Sequence, residues 1–217
     1  MRDVVFFVAD GTMERTLCAF LIRRDRHLPY NLDTRPFLFD PAEDLIRIPR
    51  NDAGVFGSAP EWVRARAGKH EHAVVLLDRD YGTQHSATFL RDDLTDRIRQ
   101  SGWPPERFRV IVIDPELEAW IWQQNQRVAT CLGFGTLREL TAVLNGAGYT
   151  WADAGPKLSP DRPKEALEAV LRHRRVGFSS KFHVAIVASV TVARCVEPAF
   201  AELRQTLQTW FPPEAQP

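Results

Sequence analysis

The sequence predicts an α/β protein: a parallel-sheet core with helices on both faces and a helical C-terminal extension. Three observations carry this. Short apolar runs rich in β-branched residues recur at residues 3–9, 74–77 and 108–113; a stretch of helical periodicity follows each; and each run ends in acidic residues. A continuous apolar run bounded by turn chemistry is the pattern of a strand buried on both faces, which is the situation of a parallel sheet. The expected division is a core over residues 1–126 and a helical extension over 127–217, packed together as one compact unit.

The first strand is Asp3-Val4-Val5-Phe6-Phe7-Val8-Ala9. Asp10-Gly11-Thr12 closes it, and residues 13–22 have helical spacing, with Thr12 the expected N-cap. Asp10 then lies at a strand end and Glu14 in the first helical turn. Both carboxylates read either as ligands in a crevice or as a turn cap and a dipole partner. Residues 23–73 are less regular. Arg23, Arg24, Arg26 and His27 form a basic cluster at the helix end. Phe37-Leu38-Phe39 and Leu45-Ile46-Arg47-Ile48 read as short strands separated by Asp40-Pro41, residues 51–60 as a loop with two glycines, and residues 61–67 as a short helix. His70 and His72 form a His-x-His pair that reads as solvated beside a turn rather than as a metal site.

The central run, Val74-Val75-Leu76-Leu77, ends in Asp78-Arg79-Asp80. Alternation along a strand sends Asp78 and Asp80 the same way, and two carboxylates so close repel unless a hard divalent cation relieves them. A solvated turn is the bland reading. A helix is expected over residues 86–100, ended by Ser101-Gly102 and Pro104-Pro105, then the strand Phe108-Arg109-Val110-Ile111-Val112-Ile113. Asp114-Pro115-Glu116-Leu117-Glu118-Ala119-Trp120 follows, with Pro115 opening a helix that continues through Leu132. Three β–α junctions thus deliver carboxylates, and the strand–helix alternation places them on one sheet edge. Further helices are expected over residues 136–144, from Pro163 to Arg174-Arg175, over 184–192 and over 198–210, the last with Phe200, Leu203, Leu207 and Trp210 on one stripe.

Lys+Arg and Asp+Glu each number 28, so no global basic field is present and phosphate contacts must come from local clusters. Arg172, Arg174, Arg175 and Lys181 form the densest such patch, read as a nucleic-acid contact or as a solvated helix end. The three cysteines, Cys18, Cys131 and Cys195, are far apart and form no C-x-x-C pair, which argues for a reducing compartment and against both disulfides and a zinc knuckle. No run approaches membrane-spanning length, and residues 4–9 are too short for a signal-peptide core, so a cytoplasmic protein without a membrane partner is expected.

The Gly-x-x-Glu turn of Gly11–Glu14, Asp78-x-Asp80 and Pro115-Glu116-Leu117-Glu118-Ala119-Trp120 together resemble the TOPRIM (topoisomerase–primase) fold. The likeness is to small bacterial TOPRIM-like proteins related to OLD-type nucleases and RloB-like proteins of anti-phage defence loci, including methylation-associated defence systems. It covers roughly the first two-thirds of the chain. OLD-type members carry Glu-Gly at the first strand, where this chain has Asp10-Gly11. The resemblance implies Mg²⁺ or Mn²⁺ held by Asp10, Glu14, Asp78 and Asp80, with Glu116 or Glu118 assisting, and phosphodiester hydrolysis of DNA or RNA. It also implies that Lys164, in Pro163-Lys164, meets the scissile phosphate; a helix-surface lysine is the other reading. Two alternatives stand beside the nuclease. One is a catalytically degenerate subunit that binds metal, nucleotide or a partner protein in a defence complex; the other is a phosphohydrolase or nucleotidyl-transfer enzyme acting on nucleotides.

Overall fold

The computed structural model describes residues 1–22, 32–151, 159–160, 162–190, 195 and 197–213. The protein is α/β, with a four-stranded, all-parallel sheet in the order β2-β1-β3-β4. Two compact units interleave in sequence. The first comprises Met1–Glu14, Asp33–Asp114 and Glu202–Pro217; the second comprises Arg15–Leu32 and Pro115–Ala201.

The first unit carries the sheet. Strand β1 (Arg2–Val8) is followed by α1 (Gly11–Leu21), of which only the first turn belongs to this unit, then by the short α2 (Pro41–Asp44), β2 (Leu45–Arg47), α3 (Asn51–Arg64), β3 (His70–Asp78), α4 (Ala87–Gln100) and β4 (Phe108–Ile113). β1 pairs with both β2 (Phe7↔Ile46) and β3 (Phe7↔Val75), while β3 also pairs with β4 (Val75↔Val110). Val4 to Val8 and Ala73 to Leu77 are wholly buried, the burial expected of inner strands. α3 packs on β1 and β3, and α4 packs on α3 and β4. Ser86 caps α4, its hydroxyl accepting from the Phe89 N–H at 3.1 Å.

Two expectations for residues 37–60 are corrected. Phe37-Leu38-Phe39 is not a strand. It is an irregular segment anchored by its rings, Phe37 stacked on Phe211 at 4.6 Å and Phe39 edge-on to Phe6 at 5.5 Å. Residues 51–60 are not a loop but the first turns of α3, which runs through Pro60. Gly54 and Gly57 made this stretch read as a loop, and each has its own reason. A Cβ on Gly54 would lie 1.8 Å from the Pro49 carbonyl oxygen, so only glycine lets the helix start against the end of β2. Gly57 has open space around it. Pro60 removes the N–H that would bond the Phe56 carbonyl. Arg97 of α4 replaces it, donating to that oxygen at 2.6 Å while lying over the Phe56 ring at 4.6 Å.

The His-x-His pair is packed rather than solvated, because β3 begins at His70. His70 Nε2 lies 2.9 Å from Asp44 Oδ1, and Arg2 donates to the other Asp44 oxygen at 2.6 Å. Burial alone would push the Asp44 carboxyl up, but hydrogen bonds from Arg2, the Asp40 backbone and His70 hold it below its ordinary value. His72 stacks on Trp210 at 4.3 Å, and its burial lowers its pKa.

The second unit is helical. A 3-10 turn (Leu117–Trp120) precedes α5 (Gln126–Cys131), α6 (Leu137–Gly146), α7 (Pro163–His173) and α8 (Lys181–Ser189); α9 (Pro198–Trp210) begins in this unit. The expected continuous helix from Pro115 to Leu132 is interrupted. Asn125 restarts it, its side chain accepting from the Arg127 N–H at 2.9 Å, because an Asn side chain competes with helix propagation and favours a cap. α6 opens on a capping box of Thr136 and Glu139. Of the helix expected over residues 184–192, 184–189 are helical within α8, Val190 is extended, and 191 and 192 lie outside the described residues. The core joins Trp122, Leu132, Leu140, Leu167, Val170 and Ile186 from these elements. The three cysteines are free thiols. The basic cluster of residues 23–27 lies outside the described residues, and no described helix is long and apolar enough to cross a membrane.

The two glycines of α3 make a paired prediction. Gly54→Ala should destabilise the protein by about 3 kcal/mol or more, since a backbone oxygen cannot yield as a side chain does. Gly57→Ala should stabilise it by about 0.5–1 kcal/mol. Chemical denaturation of both variants is the check, and equal effects would refute the close-approach explanation.

Candidate functional site

The strand order reverses between β1 and β3. From β1 the chain passes first to β2 on one side, then across to β3 on the other. In open α/β sheets this switch point, outside the carboxyl ends of the strands, leaves a crevice where ligands bind. Asp10 and Asp78 each lie three residues beyond the registered pair Phe7↔Val75, so the first-strand acid and the Asp-x-Asp segment arrive at the same edge, on neighbouring strands.

Each acid there has a definite local role. Asp10, not Thr12, caps α1: its Oδ1 accepts from the Thr12 and Met13 N–H groups at 2.7 and 2.8 Å. The cap is Asp10 because it sits one residue before the helix, where a carboxylate reaches the N–H groups of the second and third positions. Glu14, in the first turn, has Oε2 3.9 Å from Arg47 at the end of β2. Asp78 ends β3, and Asp80 is exposed two residues on. Arg79 donates to Asp114, at the end of β4, at 2.9 Å.

Asp52 is the acid that the sequence reading missed. It lies in the first turn of α3, is 9% exposed, and its Oδ1 accepts from the Asp78 N–H at 2.7 Å. It was hidden because residues 51–60 read as a loop. The available signal was an acid just after a strand-like run, the same signature as Asp10–Glu14 and Asp78–Asp80. Its helix is entered through Arg50 and Asn51, both with positive φ (72° and 53°). Two successive non-glycine residues in this region store strain at the edge where the acids collect. Tyr81, beside this edge, has its pKa raised by burial and then by Asp52. Among the described residues, no group of three or more His, Cys, Asp or Glu side chains stands close enough to hold a metal ion.

Glu116, Glu118 and Lys164 belong to the second unit. Arg162, at the N-cap of α7, makes no side-chain cap. Glu116 supplies it from a distant segment, its Oε1 accepting from the Lys164 N–H at 3.0 Å, while Trp122 Nε1 donates to the Pro163 carbonyl at 2.9 Å. The Pro-Glu-Leu-Glu-Ala-Trp segment therefore clamps the first turn of α7 at two points. Glu118 lies 3.3 Å from His183 Nε2, and His183 has no exposed surface. His183 is a second residue not singled out from sequence. Burial, and then the neighbouring Glu118, push the Glu116 carboxyl up to about 7.

The four basic candidates separate. Arg172 and Arg175 line one cavity with Phe178. Arg174 lies over the Phe134 ring at 5.6 Å, and Lys181 opens α8, exposed. No protein-family model, curated protein or solved structure matches the chain.

Glu116 sets a pH dependence. Its folded pKa of about 7 exceeds its ordinary value of 4.5, so the folded state holds the proton more tightly. Stability from this group is full below about pH 4.5 and is lost as pH rises through 7. Glu116→Gln keeps an oxygen for the Lys164 N–H and removes the titration. Melting curves at pH 5 and pH 8 should therefore show a smaller loss in the variant than in the wild type; an identical loss would contradict the assignment.

Proposed function

We propose that the protein is a divalent-metal-dependent nuclease of TOPRIM type, hydrolysing phosphodiesters at the β1–β3 switch point. The observation that carries this reading is the arrival of Asp10, Glu14, Asp78 and Asp80 at the carboxyl edge where the strand order reverses. The resemblance supplies the chemistry and the setting, anti-phage defence. Mg²⁺ retains several waters and takes one or two carboxylates plus substrate phosphate oxygens, rather than a closed protein cage. On this reading an ion would be held by one or two of Asp78, Asp80 and Glu14 together with water and substrate oxygens, since the three do not form a metal-holding group among the described residues. A bound ion would supply charge stabilisation at the phosphoryl oxygens and an activated water.

The chain's own residues hold the geometry. Asp10 fixes the first turn of α1, so Glu14 projects from a capped helix, and Arg47 restrains its carboxylate. Asp52 fixes the backbone of Asp78 without using the Asp78 side chain as the acceptor. Arg79, between the two acids in sequence, is held by Asp114 at the end of β4. The resemblance gives Lys164 the role of neutralising charge on the substrate phosphate.

A degenerate subunit, binding metal, nucleotide or a partner protein in a defence complex, is the second reading. It is favoured by the commitment of Asp10 Oδ1 to capping and by the missing three-residue metal group among the described residues.

The two readings part on one set of measurements. Mn²⁺ should raise the melting temperature of the wild type, since it binds only the folded state, and should support cleavage of single-stranded DNA, duplex DNA or RNA. Asp78→Asn should abolish both effects while leaving the metal-free melting temperature unchanged or higher. Lys164→Ala should lower turnover and keep the Mn²⁺ shift. A Mn²⁺ shift without cleavage of any substrate would leave the binding subunit; neither shift nor cleavage would overturn the metal site.

A further inference from the structure

The cavity at the C-terminal end of α7 has a volume of about 420 Å³ and is lined by Glu168, Arg172, Arg175, Val176, Gly177 and Phe178. Its size falls within the range of small-ligand sites, roughly 300–1,000 Å³. Phe178 is 48% exposed and Val176 46% exposed, in a chain whose other large apolar side chains are mostly buried. The Phe178 ring is nonetheless supported, edge-on to the buried His183 ring at 5.9 Å and 65°. Among the described residues, neither Arg172 nor Arg175 has an ion pair or a side-chain hydrogen bond, while Arg174 between them is occupied by Phe134.

Arg175 is also held against its preference. Its φ is +54°, and it forms the left-handed turn that ends α7, with the Arg175 N–H on the Arg172 carbonyl and the Val176 N–H on the Leu171 carbonyl. Glycine is the usual residue at this position, and here the glycine comes two residues later, at Gly177. A guanidinium held in a left-handed turn, beside a second one that has no ion pair among the described residues and beside an exposed aromatic ring, suits a ligand site.

We propose that this cavity binds one nucleotide unit of a single-stranded nucleic acid or a free mononucleotide, with the base stacked on Phe178 and the phosphate between Arg172 and Arg175. Aromatic faces accept any base, and arginine forks match phosphate oxygens in pairs. Glu168, as a pure acceptor, suits a ribose hydroxyl or an exocyclic amine rather than the phosphate. The inference shares with the nuclease reading the premise of a nucleic-acid ligand, but its residues are separate from those of the switch point.

The test is fluorescence polarisation with a labelled oligouridylate of about ten nucleotides, in EDTA and about 0.15 M salt. Unlabelled uridine monophosphate and a duplex of matched length serve as competitors. Phe178→Ala and Arg172→Ala should each weaken binding by about tenfold or more. Arg175→Gly should weaken it similarly while raising the melting temperature, a combination that a purely structural arginine would not give. Arg174→Ala should lower the melting temperature with little effect on affinity. Competition by the monophosphate identifies a free-nucleotide site, and competition only by strands identifies a strand site; both support the cavity. No binding by wild type, or binding indifferent to Phe178→Ala and Arg175→Gly, overturns the proposal, as does a duplex that competes better than single strand. Binding is read in EDTA and cleavage in Mn²⁺, so a failed nuclease assay does not decide this question, and a failed binding assay leaves cleavage open.

Discussion

Everything in the first unit follows from pairing four strands in parallel, with the inner two buried over residues 4–8 and 73–77. A buried peptide group must find a partner, and in this sheet the partners are other strands. Parallel pairing then sends every carboxyl end to one edge and every connection back across the sheet. The register Phe7↔Val75↔Val110 lines up three strand ends so that acids at the ends of different strands become neighbours. The strand order adds the reversal between β1 and β3, and with it the crevice. An acid placed one residue past a strand becomes a site residue only because the ladder carries it there.

The edge is held by compensations rather than by an idealised backbone. α3 begins so close to the Pro49 carbonyl that position 54 has no room for a Cβ, and the chain enters it through two non-glycine residues with positive φ. Pro60 breaks the helix ladder, and Arg97 mends it from α4. Asp52 then ties the start of this helix to the end of β3. Such strain costs roughly 1–3 kcal/mol per residue and persists only where the surrounding packing insists on it. Its location beside the collected carboxylates agrees with a working edge.

The second unit shows the opposite use of a carboxylate. Glu116 caps a helix from outside it, Trp122 secures the same turn, and burial raises the Glu116 pKa to about 7. Glu118 faces His183 in the interior. The segment carrying Glu116 and Trp122 is thus a mechanical clamp on the Pro163-Lys164 turn. A motif of this kind holds Lys164 at a fixed backbone position whatever its side chain goes on to do.

The sequence by itself determined what depends on near neighbours. β-branched runs with turn residues behind them marked β1, β3 and β4; Ser86 and Thr136 marked helix starts; the α7 pattern opened at Pro163. Asp10, Glu14, Asp78 and Asp80 were legible as acids after strands, because strand ends and first helical turns are local features. Tertiary structure decided what depends on distant partners. Phe37–Phe39 had strand composition but no strand to pair with, and its rings found Phe211 and Phe6 instead. Residues 51–60 had loop composition, yet a close approach to Pro49 and a donor from Arg97 made them helical. Asp52, Glu116 and His183 take their roles from residues 26, 48 and 65 positions away. Local propensity is a property of a few consecutive residues, whereas burial, capping in trans and strand order exist only once the chain has closed on itself.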